Sequence, residues 1–250
     1  METILSDIRF ALRGLRKQPV LTGVAILTLA LGIGANTAMF SVINTVLLRP
    51  LPYPNPDRLV WMNESGDEVA NRMVSYPNFL DWSTRNHTFE AMSTYRTWGV
   101  TLTGVDQPTK IDAGMVAADY FKVMGVTPFR GRAFTAEDDR PGATPVTIIS
   151  YAFWQKYFAG DTSVVGKTIA LDDSAFTVIG IMPEDFTHQG PPPIWMTIGP
   201  MNWKNRDVRT GGNVLGRLKP GVTIEQARAD INAVARQLAQ EHRSRHVHGW

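Results

Sequence analysis

The chain has 250 residues, 44% of them hydrophobic and 19% charged, an ordinary composition for a folded protein with one or two domains. It has no cysteine, which excludes disulfides, thiol nucleophiles and thiolate metal sites. The formal net charge of +2 is local: Arg9, Arg13, Arg16 and Lys17 face only Glu2 and Asp7 in the first 19 residues, and 21 basic and 21 acidic residues remain from position 49 onward. That balance leaves no electrostatic footprint for nucleic acid.

Residues 4–17 place Ile4, Ile8, Ala11, Leu12 and Leu15 at helical spacing, with Arg9, Arg13 and Arg16 elsewhere. Apolar residues toward acyl chains and arginines toward headgroups predict an interfacial helix on the cytoplasmic side. Residues 20–48 then run for 29 positions without a charge, more than the roughly 20 apolar residues that a bilayer core requires. A cleaved signal would have a shorter apolar run and a small-x-small site. Gly32-Ile33-Gly34 resembles such a site, but the run continues well past it, so a retained transmembrane helix is expected. The basic flank places the N-terminus in the cytoplasm and residues 49–250 outside. Ala30, Gly34 and Ala38 recur every four residues, a small face on which another membrane helix can pack closely. Asn36 and Asn44 are polar groups at membrane depth that call for interhelical partners.

Proline at 50, 52, 54 and 56 predicts a stiff polyproline stalk lifting the outer domain off the membrane. Beyond it the elements mix. Strands are expected over 59–63, 92–103, 145–150, 176–181 and 213–218. A helix is expected over 75–85, with Ser75 near its cap and Pro77 in its first turn. The last helix, 223–241, has Thr223 and Gln226 as a capping box and a stripe of Ala227, Ile231, Val234 and Leu238. The mixture argues an α+β fold. A βαβ unit near the start and a βα unit at the end predict a split βαβ sheet with an inserted β-rich subdomain over about 105–205. The final unit lacks its return strand, so a truncated domain with an unpaired sheet edge beside the last helix is expected.

Catalytic motifs do not assemble. Gly32-Ile33-Gly34 begins like a dinucleotide fingerprint but has no strand before it. Gly166-Lys167-Thr168 ends like a phosphate loop, yet Asp161 stands where its first glycine belongs. His242 and His246 have zinc-compatible spacing in a polar tail. Asp138-Asp139, Asp172-Asp173 and Glu184-Asp185 read as surface turn residues. No catalytic residue, cofactor site or metal site is expected.

Four blocks carry a resemblance: DIRFALRGLRKQPVLTGVAILTLALGIGANTAMFSVINTVLLRPLPYPNPDRLV; VAADYFKVMGVTPFRGRAFTAEDD with PVTIISYAFWQKYF; VGKTIALDDSAFTVIGIMPEDF; and NVLGRLKPGVTIEQARADINAVARQL. In order and spacing they resemble the opening and periplasmic core of MacB-like ABC transporter permeases, of the duplicated orphan permease group. The resemblance implies a permease subunit with no ATPase domain of its own, in the bacterial inner membrane with its large domain periplasmic or extracellular. Its implied partners are a separate cytoplasmic ATPase, a further permease subunit or copy, and the lipid bilayer. ATP-driven closure would reach the outer domain as rigid-body motion rather than chemistry, for export or efflux. The family's three C-terminal membrane helices are missing from this sequence, which points to a fragment of a longer permease. The competing readings are a single-pass binding or sensor protein and a membrane-anchored enzyme.

Overall fold

A computed structural model describes residues 16–43, 53–65, 72–104, 107–186 and 192–242. The chain divides into two compact units, Met1–Leu51 and Pro52–Trp250. In the first, helix α1 (Pro19–Ile43) covers most of the expected span and is long and apolar enough to cross a membrane. Val20, Leu27, Leu31 and Ile33 are all exposed on it, with no polar face to turn toward water. Residues 44–48 lie outside the described part, as does all of the amphipathic stretch but Arg16 and Lys17.

The second unit is built on one nine-stranded sheet. Strands β1 (Leu59–Met62), β2 (Phe89–Thr103), β3 (Thr109–Val116), β4 (Arg130–Gly131), β5 (Val146–Ile149), β6 (Thr168–Leu171), β7 (Ser174–Ile181), β8 (Ile194–Thr197) and β9 (Asn213–Leu218) lie in the order β1-β9-β2-β3-β8-β5-β7-β4. β6 lies off this path and pairs with β2 and β7. The pairs β3–β8 and β5–β7 are parallel and the others antiparallel. β9 therefore lies between β1 and β2 and is antiparallel to both. Among the described residues the outer edge of β1 has no strand beside it.

Helices α2 (Tyr76–Arg85), α4 (Tyr151–Phe158) and α5 (Ile224–His242) share one core with alternate strand residues such as Val60, Met62, Val214, Ile194 and Met196. Their neighbours in the strands, Leu215 and Trp195, join a second core with the short helix α3 (Tyr120–Met124). Alternation with a period of two puts these cores on opposite faces of the sheet. The unit is α+β, as its composition of elements predicts.

Local signals hold at both ends of this unit. The Ser75 hydroxyl caps α2 by accepting from the Asn78 amide at 3.4 Å. At α5, Thr223 Oγ1 accepts from the Gln226 amide and Gln226 Oε1 accepts from the Thr223 amide, the reciprocal capping box. Ala227, Ile231, Val234 and Leu238 are buried as the stripe requires.

The polyproline stalk is a correction over its described part. Tyr53 is buried against Phe186 at 6.1 Å between ring centroids. Asn55 turns left-handed at φ 48°, and Pro56–Arg58 form a turn of 3-10 helix. Burying an aromatic ring stabilises more than an extended stalk can, so these prolines shape a packed turn instead of a spacer.

Candidate functional site

The best-built polar site of the outer unit lies where the chain arrives from α1. Pro54 and Pro56 have no amide hydrogen; the Asn55 and Pro56 carbonyls accept from amides of their own turn, and the Pro54 carbonyl takes a donor from elsewhere. Arg217 supplies it. It sits on β9 at the register of Leu215, facing the second core, and is 5% exposed. Its Nη1 donates to the Pro54 carbonyl at 2.8 Å and its Nε to the Val123 carbonyl at 2.7 Å. Burial pushes its pKa below the ordinary arginine value, and nearby Arg58 adds to this. Arg58 donates through Nε to the Leu218 carbonyl at 2.8 Å and is ion-paired with Glu90. Gly125 completes the site: its φ of 71° suits glycine, and a Cβ there would come within 3.2 Å of the Arg217 Nη2 and 3.3 Å of the Pro54 ring.

A second feature is an open cleft of about 370 Å³ lined by Tyr76, Phe79, Leu80, Phe89, Met92 and Asp139 among others. The paired aspartates behind it are not surface turn residues. Asp138 is buried and holds Arg132 at 2.6 Å while accepting from the Thr135 amide and hydroxyl at 2.8 Å. Burial alone would raise its pKa, but Arg132 and Thr135 together hold it below the usual carboxylate range. Asp139 accepts from the Ala118 amide at 2.9 Å and the Gly199 amide at 2.6 Å. Burial pushes it up to about 6 despite these donors. Two adjacent carboxylates thus shift in opposite directions because only one has a guanidinium beside it. The other two pairs do sit at the surface: Asp172 and Asp173 occupy a left-handed turn, and Glu184 and Asp185 are exposed.

A third cluster joins the end of β1 to α2. Glu64, 1% exposed, accepts from Asn78 Nδ2 at 2.7 Å and pairs with Arg209 at 3.0 Å. Asn78 in turn accepts from Arg206, which pairs with Asp81 at 2.6 Å. Burial raises the Glu64 pKa, opposed by Asn78 and Arg209. A buried carboxylate held this way is costly to unpair and fixes its surroundings.

Apart from the aspartate pair, the residues singled out in sequence are not members of these clusters. Ala30, Gly34 and Ala38 occupy α1 at successive fourth positions, and a Cβ at Gly34 would meet nothing within 4 Å. Arg16 and Lys17 are exposed ahead of α1, while Arg9 and Arg13 lie outside the described residues. Gly166 is a turn at φ 95° and Thr168 opens strand β6, so no helix N-terminus follows to hold a phosphate. Of the tail histidines only His242 is described. Among the described residues no group of three His, Asp or Glu side chains is placed to hold a metal. Arg217 was missed in the sequence, although a cation between Gly216 and Leu218 at a core-facing register is a visible signal.

Residues 22–234 match the MacB-like periplasmic core domain. No match is found among curated proteins. The fold is similar to the extracellular domain of the ABC-type transporter YknZ from Gram-positive bacteria, with TM-score 0.56 and 17% identity over 77% of this chain and 99% of that one. It is also similar to the periplasmic region of MacB from Actinobacillus actinomycetemcomitans, with TM-score 0.52 and 14% identity over 75% of this chain and 85% of that one. With the match running from inside α1 to the buried stripe of α5, the chain belongs to the family of MacB-like periplasmic core domains.

Proposed function

We propose that this chain serves an ABC transporter permease as a membrane helix with its extracytoplasmic domain, passing motion from a separate cytoplasmic ATPase to the outer domain for export or efflux. The observation that carries this reading is the reach of the family match, which begins within α1 and extends through the outer unit to residue 234. Helix and domain therefore belong to one architecture. The division is a cytoplasmic flank over 1–19, with Arg9, Arg13, Arg16 and Lys17 as its anchor, a membrane span over 20–48, and an outer domain over 49–250 whose inserted part is about 105–205. A further permease subunit or copy would meet the small face of α1. The Arg209–Glu64 pair ties separate segments of the domain to one another, which suits a part that is moved as a body.

The test uses the absence of native cysteine. Alkaline phosphatase fused after Trp250 is expected to be active, which places the domain outside. A photocrosslinker on a cysteine at Arg13→Cys, in native membranes, is expected to capture a protein with a nucleotide-binding domain. An active phosphatase with no such capture would favour the single-pass sensor. A silent phosphatase with an active cytoplasmic reporter would overturn the orientation.

A further inference from the structure

We propose that Arg217 is a positioning residue that clasps the segment arriving from α1 and makes it move as one body with β9 and α3. The inference rests on the transmission reading above, but its geometry stands within the outer unit alone. The arriving segment ties part of itself, through the Arg58 amide on the Asn55 carbonyl at 3.1 Å and the Leu59 amide on the Pro56 carbonyl, but proline at every second position leaves it no amide for the Pro54 carbonyl upstream of that turn. Arginine carries five donors in a rigid fork and no acceptor, so one side chain can reach carbonyls on two separate segments. Arg217 uses that fork on two partners from different parts of the chain: Pro54 in the arriving segment at 2.8 Å and Val123 at the end of α3 at 2.7 Å.

Burying a guanidinium is costly unless its hydrogen bonds are made in the fold; here Nε and Nη1 make theirs, with a further 3.4 Å bond from Nη1 to the Asn55 carbonyl, while Nη2 is buried without a partner among the described residues. A residue 5% exposed on a core-facing register is therefore placed for those carbonyls and not for solubility. Arg58 adds a second tie four residues downstream, from the arriving segment to the Leu218 carbonyl on the same strand. Leu59 then pairs with Arg217 across the β1–β9 ladder. Displacement that reaches Tyr53 is thus delivered to β9 before β1 begins, and slack between 53 and 58 is removed. Gly125 keeps room for the fork, since its Cβ would press on both Arg217 and Pro54.

The experiment is force extension of the full chain in detergent micelles. Arg49→Cys and Pro220→Cys attach the two handles, and the chain has no other thiol. With Arg217 present, one rupture is expected, with no discrete step before it. Arg217→Met keeps length and aliphatic bulk but removes every donor. An additional step of less than about 18 Å is then expected at lower force, as five residues straighten at up to about 3.6 Å each. Arg217→Lys, with a single flexible donor group, is expected to raise the force of that step toward the original rupture. A single unaltered rupture in Arg217→Met would overturn the proposal. So would a weaker rupture with no earlier step, which marks a merely structural residue. If Arg217→Met does not fold, the unaltered residue still decides: an early step of that size in its presence removes the clasp. None of these outcomes depends on transport, so a chain that fails to couple to an ATPase yet ruptures in one step would overturn the transmission reading alone.

Discussion

The two long helices of this chain show how differently one backbone form can be stabilised. α1 runs 25 residues with apolar side chains exposed all round. α5 runs 19 residues with one buried stripe and polar residues elsewhere. In water α1 would leave on the order of 25 cal/mol per Å² of apolar surface ungained, a deficit that a bilayer removes. α5 makes the same gain by lying on a sheet. The difference teaches that apolar periodicity records the solvent on each side of a helix more than the helix itself.

The largest effect should come from breaking α5's stripe. Ile231→Ala is expected to destabilise the outer unit by about 2–5 kcal/mol, read from denaturant unfolding, whereas Leu27→Ala on α1 should leave that transition unchanged. Equal shifts from both would collapse the distinction between the helices. Next comes the polar face of α5. Asp230 accepts from the His87 amide at 2.7 Å and from the Thr88 amide and hydroxyl. Asp230→Ala strands those donors and should cost about 1–3 kcal/mol, with Asp230→Asn recovering part of it; a null result would mean that water replaces the carboxylate freely.

On α1 the corresponding substitution acts on association, not folding. Gly34→Leu should weaken co-purification or cross-linking with partner membrane helices by about 1–2 kcal/mol, at equal expression. Unchanged association would argue that the Ala30, Gly34 and Ala38 face meets only lipid.

Burial acts on charge inside the outer unit as it does on apolar surface, and pH reads this out. A carboxyl raised to about 6 in the fold from an ordinary 3.8 binds its proton more tightly when folded. Its contribution is therefore fullest below about 3.8 and is lost as pH rises through 6. Asp138, held low, contributes in the opposite sense: its stabilisation is present above about 3.8 and is lost as pH falls further. Asp139→Asn should flatten the stability profile between pH 4 and 6, where Asp138 has little effect. A wild-type profile with no component in that window would contradict the assignment.

The smallest effect belongs to the exposed end of α5. Glu241 pairs with Arg85 at 2.9 Å with both groups well solvated. The pair lowers the Glu241 pKa through its hydrogen bond to Arg85, but water and salt screen such contacts. Glu241→Ala should leave the unfolding midpoint where it is, and raising the salt should make no further difference. A clear loss of stability would mean that this pair anchors α5 to α2.

The elements legible in the sequence are those whose cause is local. The caps at Ser75 and Thr223, the stripe of α5 and the apolar run of α1 each depend on residues within a few positions of one another. Strand β9 was bounded correctly because its punctuation, Gly212 before it and Pro220-Gly221 after it, lies beside it. Strands β3, β4, β6 and β8 and helices α3 and α4 are not singled out as elements in the sequence; β4, β6, β8 and α3 are too short for periodicity to declare. The stalk reading failed for a related reason. Proline spacing describes an isolated chain, and only the nearness of Phe186 and Arg217 turns it into a packed bend.

The sequence by itself determined that one apolar helix precedes a neutral α+β domain, because solvent preference and capping are written in neighbouring side chains. It also carried the family, because the order of the blocks survives in one dimension. Only the tertiary structure decided that Asp138 is buried in a solvated-looking turn with Asp139 half-buried beside it, that β9 inserts between β1 and β2, and that Arg217 holds Pro54 across 163 positions. Those facts depend on which distant groups share a low-dielectric interior. A linear pattern does not specify such neighbours until the sheet brings them together.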